Sequence, residues 1–212
     1  MIKINEELYK NLSEEQKALC DMCYDWGFCD CKECDIDKGE EKLKKVAQFY
    51  KVSYEQFKKG FEDCFGAIED DKVKKIYDSI EIPKRATTGS AGYDFFAPID
   101  IVLNPGETIK IPTGIRVKID DGWVLKCYPR SGLGFKFRMQ LNNTVGIIDS
   151  DYYYSDNEGH IFAKITNDSN ENKILIVGAG SGFMQGIFVE YGITYDDDVT
   201  DIRNGGFGST TK

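Results

Sequence analysis

The sequence predicts a mainly β domain, residues 79–212, preceded by a small α-helical module, residues 1–78, and three observations predict it. From Ile82 onward, short runs such as "IDIVL", "TIKIPTGIRVKI" and "WVLKCY" are rich in β-branched and aromatic residues. They are separated by Pro-Gly, Asp-Gly and Gly-rich turns, the pattern of consecutive strands. Up to about Asp78 the chain is Lys/Glu-rich, lacks proline, and spaces its apolar residues at helical intervals in "LKKVAQFYKVSYEQFKKGFEDCFGAI". Between the two, "YDSIEIPKRATTGS" brings in a proline and small polar residues, which marks a junction near Asp78.

In the helical module, Ser13 with Gln16 and Ser53 with Gln56 have capping-box spacing and mark two helix starts. "CDMCYDWGFCDCKEC" holds two Cys-x-x-Cys pairs, Cys20/Cys23 and Cys31/Cys34, with Cys29 between them. Four thiolates suit a tetrahedral zinc site, yet the pairs stand closer together than in the usual finger or ribbon loop. The alternative places Cys20 and Cys23 on one helix face and the others in a tight acidic turn. "LKKVAQFYKVSYEQFKKGF" faintly resembles a helix-turn-helix, but residues 1–78 carry 14 Lys against 19 Asp plus Glu, a balance that disfavours a phosphate backbone. A packing module, or one that docks a protein partner, fits better.

The whole chain narrows the classes further. At 212 residues and 41% hydrophobic it can bury a sizeable core. No apolar segment is long enough to cross a bilayer and no basic-then-apolar leader opens the chain, so a cytoplasmic protein without a membrane role is expected. A net charge of −9 argues against nucleic acid, although local backbone donors still hold a small anion in an acidic protein. Seven cysteines, an odd number with no leader, point to reduced thiols or a metal site rather than a disulfide framework.

Four stretches of the β region carry residues a strand does not need: Asp94 in "GSAGYDFFAP", Arg130 and Ser131 before two glycines in "YPRSGLGFK", Asp149 after "VGII", and the closing "RNGGFGSTTK". Each alone reads as a turn. The stretch "VGIIDSDYYYSDNEGHIFAKITN" sets acids and aromatic rings together, as a solvated loop, a metal site or a pocket for a flat, charged ligand would. In their joint order these motifs resemble the trimeric deoxyuridine triphosphate nucleotidohydrolases, the dUTPases, from about Ile82 to the last residue.

The resemblance implies a jelly-roll or β-barrel subunit in a homotrimer with shared sites, hydrolysing dUTP to dUMP and pyrophosphate with Mg2+. It implies that Asp94 holds waters on the magnesium ion. Arg130, Ser131 and Gly132 would contact phosphate oxygens, joined by Gln185 in "GFMQGIF". Asp149 would activate the water that attacks the α-phosphorus, Tyr152 would pack under the deoxyribose and exclude a 2′-hydroxyl, and Asn143 would help recognise uracil. Phe207, Gly208 and Ser209 would belong to a mobile arm closing over a neighbouring subunit's site, with Phe207 on the base and Ser209 and Thr210 near the γ-phosphate.

Three departures stand out. Six residues separate Tyr152 from Gly159 where the family has one, read as a surface extension that leaves Tyr153 and Tyr154 away from the ligand. Gly182 replaces an Arg three residues before Gln185. Arg203, the candidate for the γ-phosphate, lies one residue closer to "GGFG" than is usual. His160, the only histidine, has no nucleophilic partner and reads as a packing residue; Cys127 reads as a small buried hydrophobe. Two rival readings are a relative of dCTP deaminase, against which "IDSDY" argues, and a non-catalytic nucleotide-binding protein acting through the helical module, against which Asp149 argues.

Overall fold

Ala47–Lys51, inside the stretch predicted as helix, forms the first strand, β1, of the computed structural model, which describes Lys10, residues 13–15, 17–18 and 43–201, and Arg203. Its five residues pair antiparallel with β6 (Ile115–Ile119), from Ala47 opposite Ile119 to Lys51 opposite Ile115. Phe49 meets the rings of Tyr93, Phe95 and Phe188 at centroid distances of 5.4, 5.6 and 5.7 Å. That partner strand lies far along the chain, so local helical spacing is overridden by pairing and aromatic burial. The helix-turn-helix likeness fails with it: the segment is a strand followed by a helix.

Helix α1 (Tyr54–Phe65) starts as its sequence predicts: Ser53 is the N-cap and its hydroxyl accepts the Gln56 N–H at 3.2 Å. Gln16, of the other expected capping box, lies outside the described residues. Helix α2 (Asp70–Ser79) follows, with Asp70 and Asp71 in its first turn, where acidic side chains favour the helix dipole. Phe57, Phe61, Val73 and Ile80 are buried in the same core cluster as Phe95, Leu125, Ile165 and Phe183.

The chain accordingly divides between Lys45 and Val46 into two compact units, and the boundary expected near Asp78 falls inside the second. The reason is packing: the apolar faces of α1 and α2 have no core but that of the β domain. Gly114 shows how closely they approach, since it adopts φ +71° and a Cβ there would collide with Ile80.

The β domain is antiparallel throughout. One five-stranded sheet runs β2 (Lys84–Arg85), β3 (Tyr93–Phe96), β12 (Gly182–Glu190), β7 (Trp123–Pro129) and β9 (Gly146–Ile148). A three-stranded sheet orders β5 (Thr108–Pro112), β10 (Phe162–Asn167) and β8 (Met139–Leu141), and β4 (Ile101–Leu103) pairs with β11 (Leu175–Val177). Burial alternates along the strands, as in "IVL" and "MQL", so one face of each meets the core. A short helix, α3 (Ser131–Phe137), leaves the end of β7, and a 3-10 helix (Ser150–Tyr154) leaves the end of β9. Among the described residues no helix is long and apolar enough to cross a membrane.

Candidate active site

Asp94, Gln185 and Tyr128 stand side by side in one row across β3, β12 and β7, and Arg130 lies two residues past Tyr128. The Asp94 side chain is only 16% exposed, and its Oδ2 is 3.4 Å from Arg130 Nη2. Gln185 Nε2 donates to the Pro129 carbonyl at 3.3 Å. Ser131 and Gly132, the first residues of α3, are exposed beside them. The odd glycine also finds its place. A Cβ on Gly182 would lie 2.7 Å from Arg130 Nη1, so a larger residue there would displace the guanidinium from the position it holds next to Asp94. These groups bring together one guanidinium, one amide and one hydroxyl beside a single carboxylate, donors of the kind an anion takes.

Asp149 begins a second group. It sits in extended conformation at the N-cap of the 3-10 helix, which turns Tyr152 back toward the domain and buries it. The Tyr152 hydroxyl donates to the His160 carbonyl at 2.7 Å and accepts from Asn157 Nδ2 at 2.8 Å. Burial pushes its pKa up, so the phenol stays a neutral donor. Arg203 Nη2 bonds Asp149 Oδ2 at 2.5 Å, and its Nε lies 3.0 Å from Asp151 Oδ1, close enough for an ion pair but not aligned as a hydrogen bond. A cleft of about 450 Å³ opens here, lined among others by Asn143, Gly146, Ile148, Tyr152, Phe162 and Arg203. That volume suits a small-molecule ligand.

Strand register keeps the two groups apart within one chain. Ile148 pairs with Leu125, so Asp149 comes level with Val124, and Ser150 Oγ reaches Asp121 Oδ1 at 3.5 Å. Arg130 is therefore six positions farther along β7, about 20 Å at the rise of a β-strand. Arg203, expected beside the phosphates, lies with Asp149 instead. The arm residues Phe207, Gly208 and Ser209 and the thiols Cys20, Cys23, Cys31 and Cys34 are outside the described residues.

A dUTPase family model matches residues 78–211, the segment that contains Asp94, Arg130, Asp149, Tyr152, Gln185 and Arg203. The chain belongs to the dUTPase family. A deoxyuridine 5'-triphosphate nucleotidohydrolase from Lactococcus lactis is 41% identical over 134 residues, which span 62% of this chain and 88% of that one. One from Escherichia coli is 38% identical over 153 residues, 68% of this chain and 95% of the relative. Among solved structures, the dUTPase of Staphylococcus bacteriophage 80alpha with dUPNHPP aligns with a TM-score of 0.51 at 21% identity, covering 79% of this chain and 99% of that one.

Against the family pattern, the long turn after Tyr152 is a built structure. The Tyr153 carbonyl accepts from Arg116 Nη2 at 2.6 Å, and the Arg116 guanidinium stacks over the Tyr153 ring at 3.7 Å. Tyr154 points to solvent. Neither lines the cleft. The extension is nevertheless tied down: Glu158 accepts the Ser53 N–H at 2.8 Å and its hydroxyl at 2.6 Å. Asp151, Asn157 and Glu158 were missed as residues around the site. "NEG" carries a turn signature, but nothing local in it names Ser53 or the Tyr152 hydroxyl as partners. His160 is fully buried, with Nε2 accepting the Gly114 N–H at 2.9 Å, and desolvation lowers its pKa to about 3. Cys127 is buried too, its thiol pushed up to about 12 by desolvation.

Proposed function

We propose that the chain hydrolyses dUTP to dUMP and pyrophosphate, with Asp149 as the general base. The observation that carries this is Tyr152 in the wall of a 450 Å³ cleft, with Asp149 at the N-cap of the same short helix and bonded to Arg203, which also lines the cleft, in a chain belonging to the dUTPase family. Relatives from Lactococcus lactis and Escherichia coli bear the nucleotidohydrolase name, which supports the same substrate here.

In this reading Asp149 takes a proton from water as the water oxygen bonds to the α-phosphorus. The bond to the α–β bridging oxygen then breaks and pyrophosphate leaves. Tyr152 packs under the deoxyribose, where a 2′-hydroxyl would collide with the ring, and Asn143, which lines the cleft, meets the uracil edge. Arg130, Ser131, Gly132 and Gln185 hold the phosphate oxygens. Phe207, Gly208 and Ser209 would close over the base and γ-phosphate, with Arg203 joining them only by giving up Asp149.

A metal fits this set in one particular way. Among the described residues no three His, Cys, Asp or Glu side chains converge, while Asp94 offers one carboxylate beside the phosphate-binding Arg130. Such a site suits magnesium, which keeps its waters and takes phosphate oxygens as ligands. The dUTPase of phage phi11, related in fold at 20% identity with a TM-score of 0.50, is described as coordinating a structural Mg(II) ion. When bound through Asp94, magnesium would neutralise charge on the triphosphate.

The backbone separation of about 20 Å along β7 between Arg130 and the level of Asp149 supports sites shared between chains, and hence a homotrimer, because an α-phosphorus within reach of the base leaves its other phosphates short of Arg130 in the same chain. Measuring pyrophosphate release on dUTP, dCTP and UTP tests the reaction. Release from dUTP alone is expected; no release from dUTP, or equal release from UTP, would overturn the reading.

A further inference from the structure

We propose that Asn157, in the inserted turn, is a positioning residue that sets the enzyme's preference for deoxyribose by bracing Tyr152, and that Glu158 anchors this brace to the chain ahead of the family match. The inference rests on the reading that Tyr152 faces the sugar.

The Tyr152 ring turns on two side-chain torsions, and its tip is held from two sides. The hydroxyl donates to the His160 carbonyl and accepts from Asn157 Nδ2. The Asn157 amide cannot flip, because its Oδ1 accepts the Gly159 N–H at 3.1 Å. Gly159, at φ +69°, lies so close beneath Tyr152 that a Cβ there would be 2.7 Å from the Tyr152 carbonyl oxygen. A ring fixed at both ends cannot swing aside to admit a ribose hydroxyl. A family member with one residue in this turn has no side chain at the place of Asn157.

The turn needs an outside anchor. Glu158 has φ 57°, in the left-handed region that a residue with a side chain rarely adopts. Its carboxylate takes both the N–H and the hydroxyl of Ser53 and lies 3.7 Å from Arg116 Nη1. Ser53 is at once the N-cap of α1, so the start of that helix and the support of the turn are one group. Sugar selectivity is thereby coupled to a segment 105 residues upstream.

The test compares kcat/KM for dUTP and UTP in the full-length chain. Asn157→Leu, which keeps the side-chain bulk, should lower the dUTP-to-UTP ratio by about tenfold, the worth of one hydrogen bond in a buried site. Its kcat on dUTP should fall no more than about threefold, because Asn157 does not touch the reacting atoms. Tyr152→Phe, which removes the hydroxyl and with it the bonds to both Asn157 and His160, should lower the ratio at least as far, and the double variant should be no worse than Tyr152→Phe alone, since the bond between Tyr152 and Asn157 is already gone. Glu158→Ala should loosen the ratio less. A ratio unmoved in folded Asn157→Leu, or additive losses in the double variant, would overturn the brace; where Asn157→Leu fails to fold, an unmoved ratio in Tyr152→Phe does so. A wild type that releases no pyrophosphate from dUTP sinks the functional reading together with the brace. A wild type that does, with unmoved ratios, sinks the brace alone.

Discussion

Asp149 and His160 show how differently two titratable side chains are used within a dozen residues of chain. Asp149 is partly open and carries its charge against Arg203, so its amide analogue changes chemistry without changing shape. Asp149→Asn should retain nucleotide binding, seen by calorimetry, and lose turnover by about two to three orders of magnitude. Near-wild-type turnover would remove Asp149 from the mechanism. His160 is neutral and structural. Its folded pKa of about 3 lies below the ordinary 6.5, so below pH 6.5 the unfolded chain binds a proton that the folded chain refuses. Stability contributed by the neutral ring is complete above pH 6.5 and is lost as pH falls toward 3, at up to about 1.4 kcal/mol per pH unit. His160→Gln keeps an acceptor for the Gly114 N–H and removes the titration, so its Tm should fall less than that of the wild type between pH 7 and pH 4. Superimposable acid limbs would assign that slope to other groups.

At the scale of elements, β1, α1 and α2 matter most, because all but the last two residues of α2 lie ahead of the family match yet they build its core. A chain starting at Val46 keeps Phe57, Phe61, Val73 and Ile80 in place, whereas one starting at Ser79 loses the first three. Removing one such Phe side chain typically costs about 3–5 kcal/mol, so the shorter chain should be insoluble or molten while the longer one melts cooperatively. Equal melting of the two would show that α1 and α2 add nothing to the fold. The β domain was legible in sequence because its signals are local: turn dipeptides punctuate each strand, and each site motif is a contiguous word such as "RSG" or "IDSDY". Ala47–Lys51 was not legible, because its strand character comes from pairing with Ile115–Ile119. The link from Glu158 to Ser53 was hidden for the same reason, since no local pattern encodes a partner 105 residues away.

For the whole molecule, the register along β7 decides how the parts work together. It puts Arg130 and Asp149 toward opposite ends of β7, so on the proposed roles each reaction centre should draw them from different chains. Inactive Asp149→Asn chains mixed with inactive Arg130→Ala chains, unfolded together and refolded, should recover activity. Random assembly makes roughly one site in four intact in both groups. If the mixture stays as inactive as its components, each chain works alone and the shared-site arrangement fails. The bond between Glu158 and Ser53 has a consequence of another kind, for the history and redesign of this scaffold. The lengthened turn and the start of α1 at Ser53 lie 105 residues apart in the chain, but in space they are a single cassette with one carboxylate as its clasp. Grafting the turn by itself onto a shorter homologue would strand a half-buried anion and leave Glu158 in its left-handed conformation with nothing to hold it, so the two pieces can be gained, lost or transplanted only as a pair.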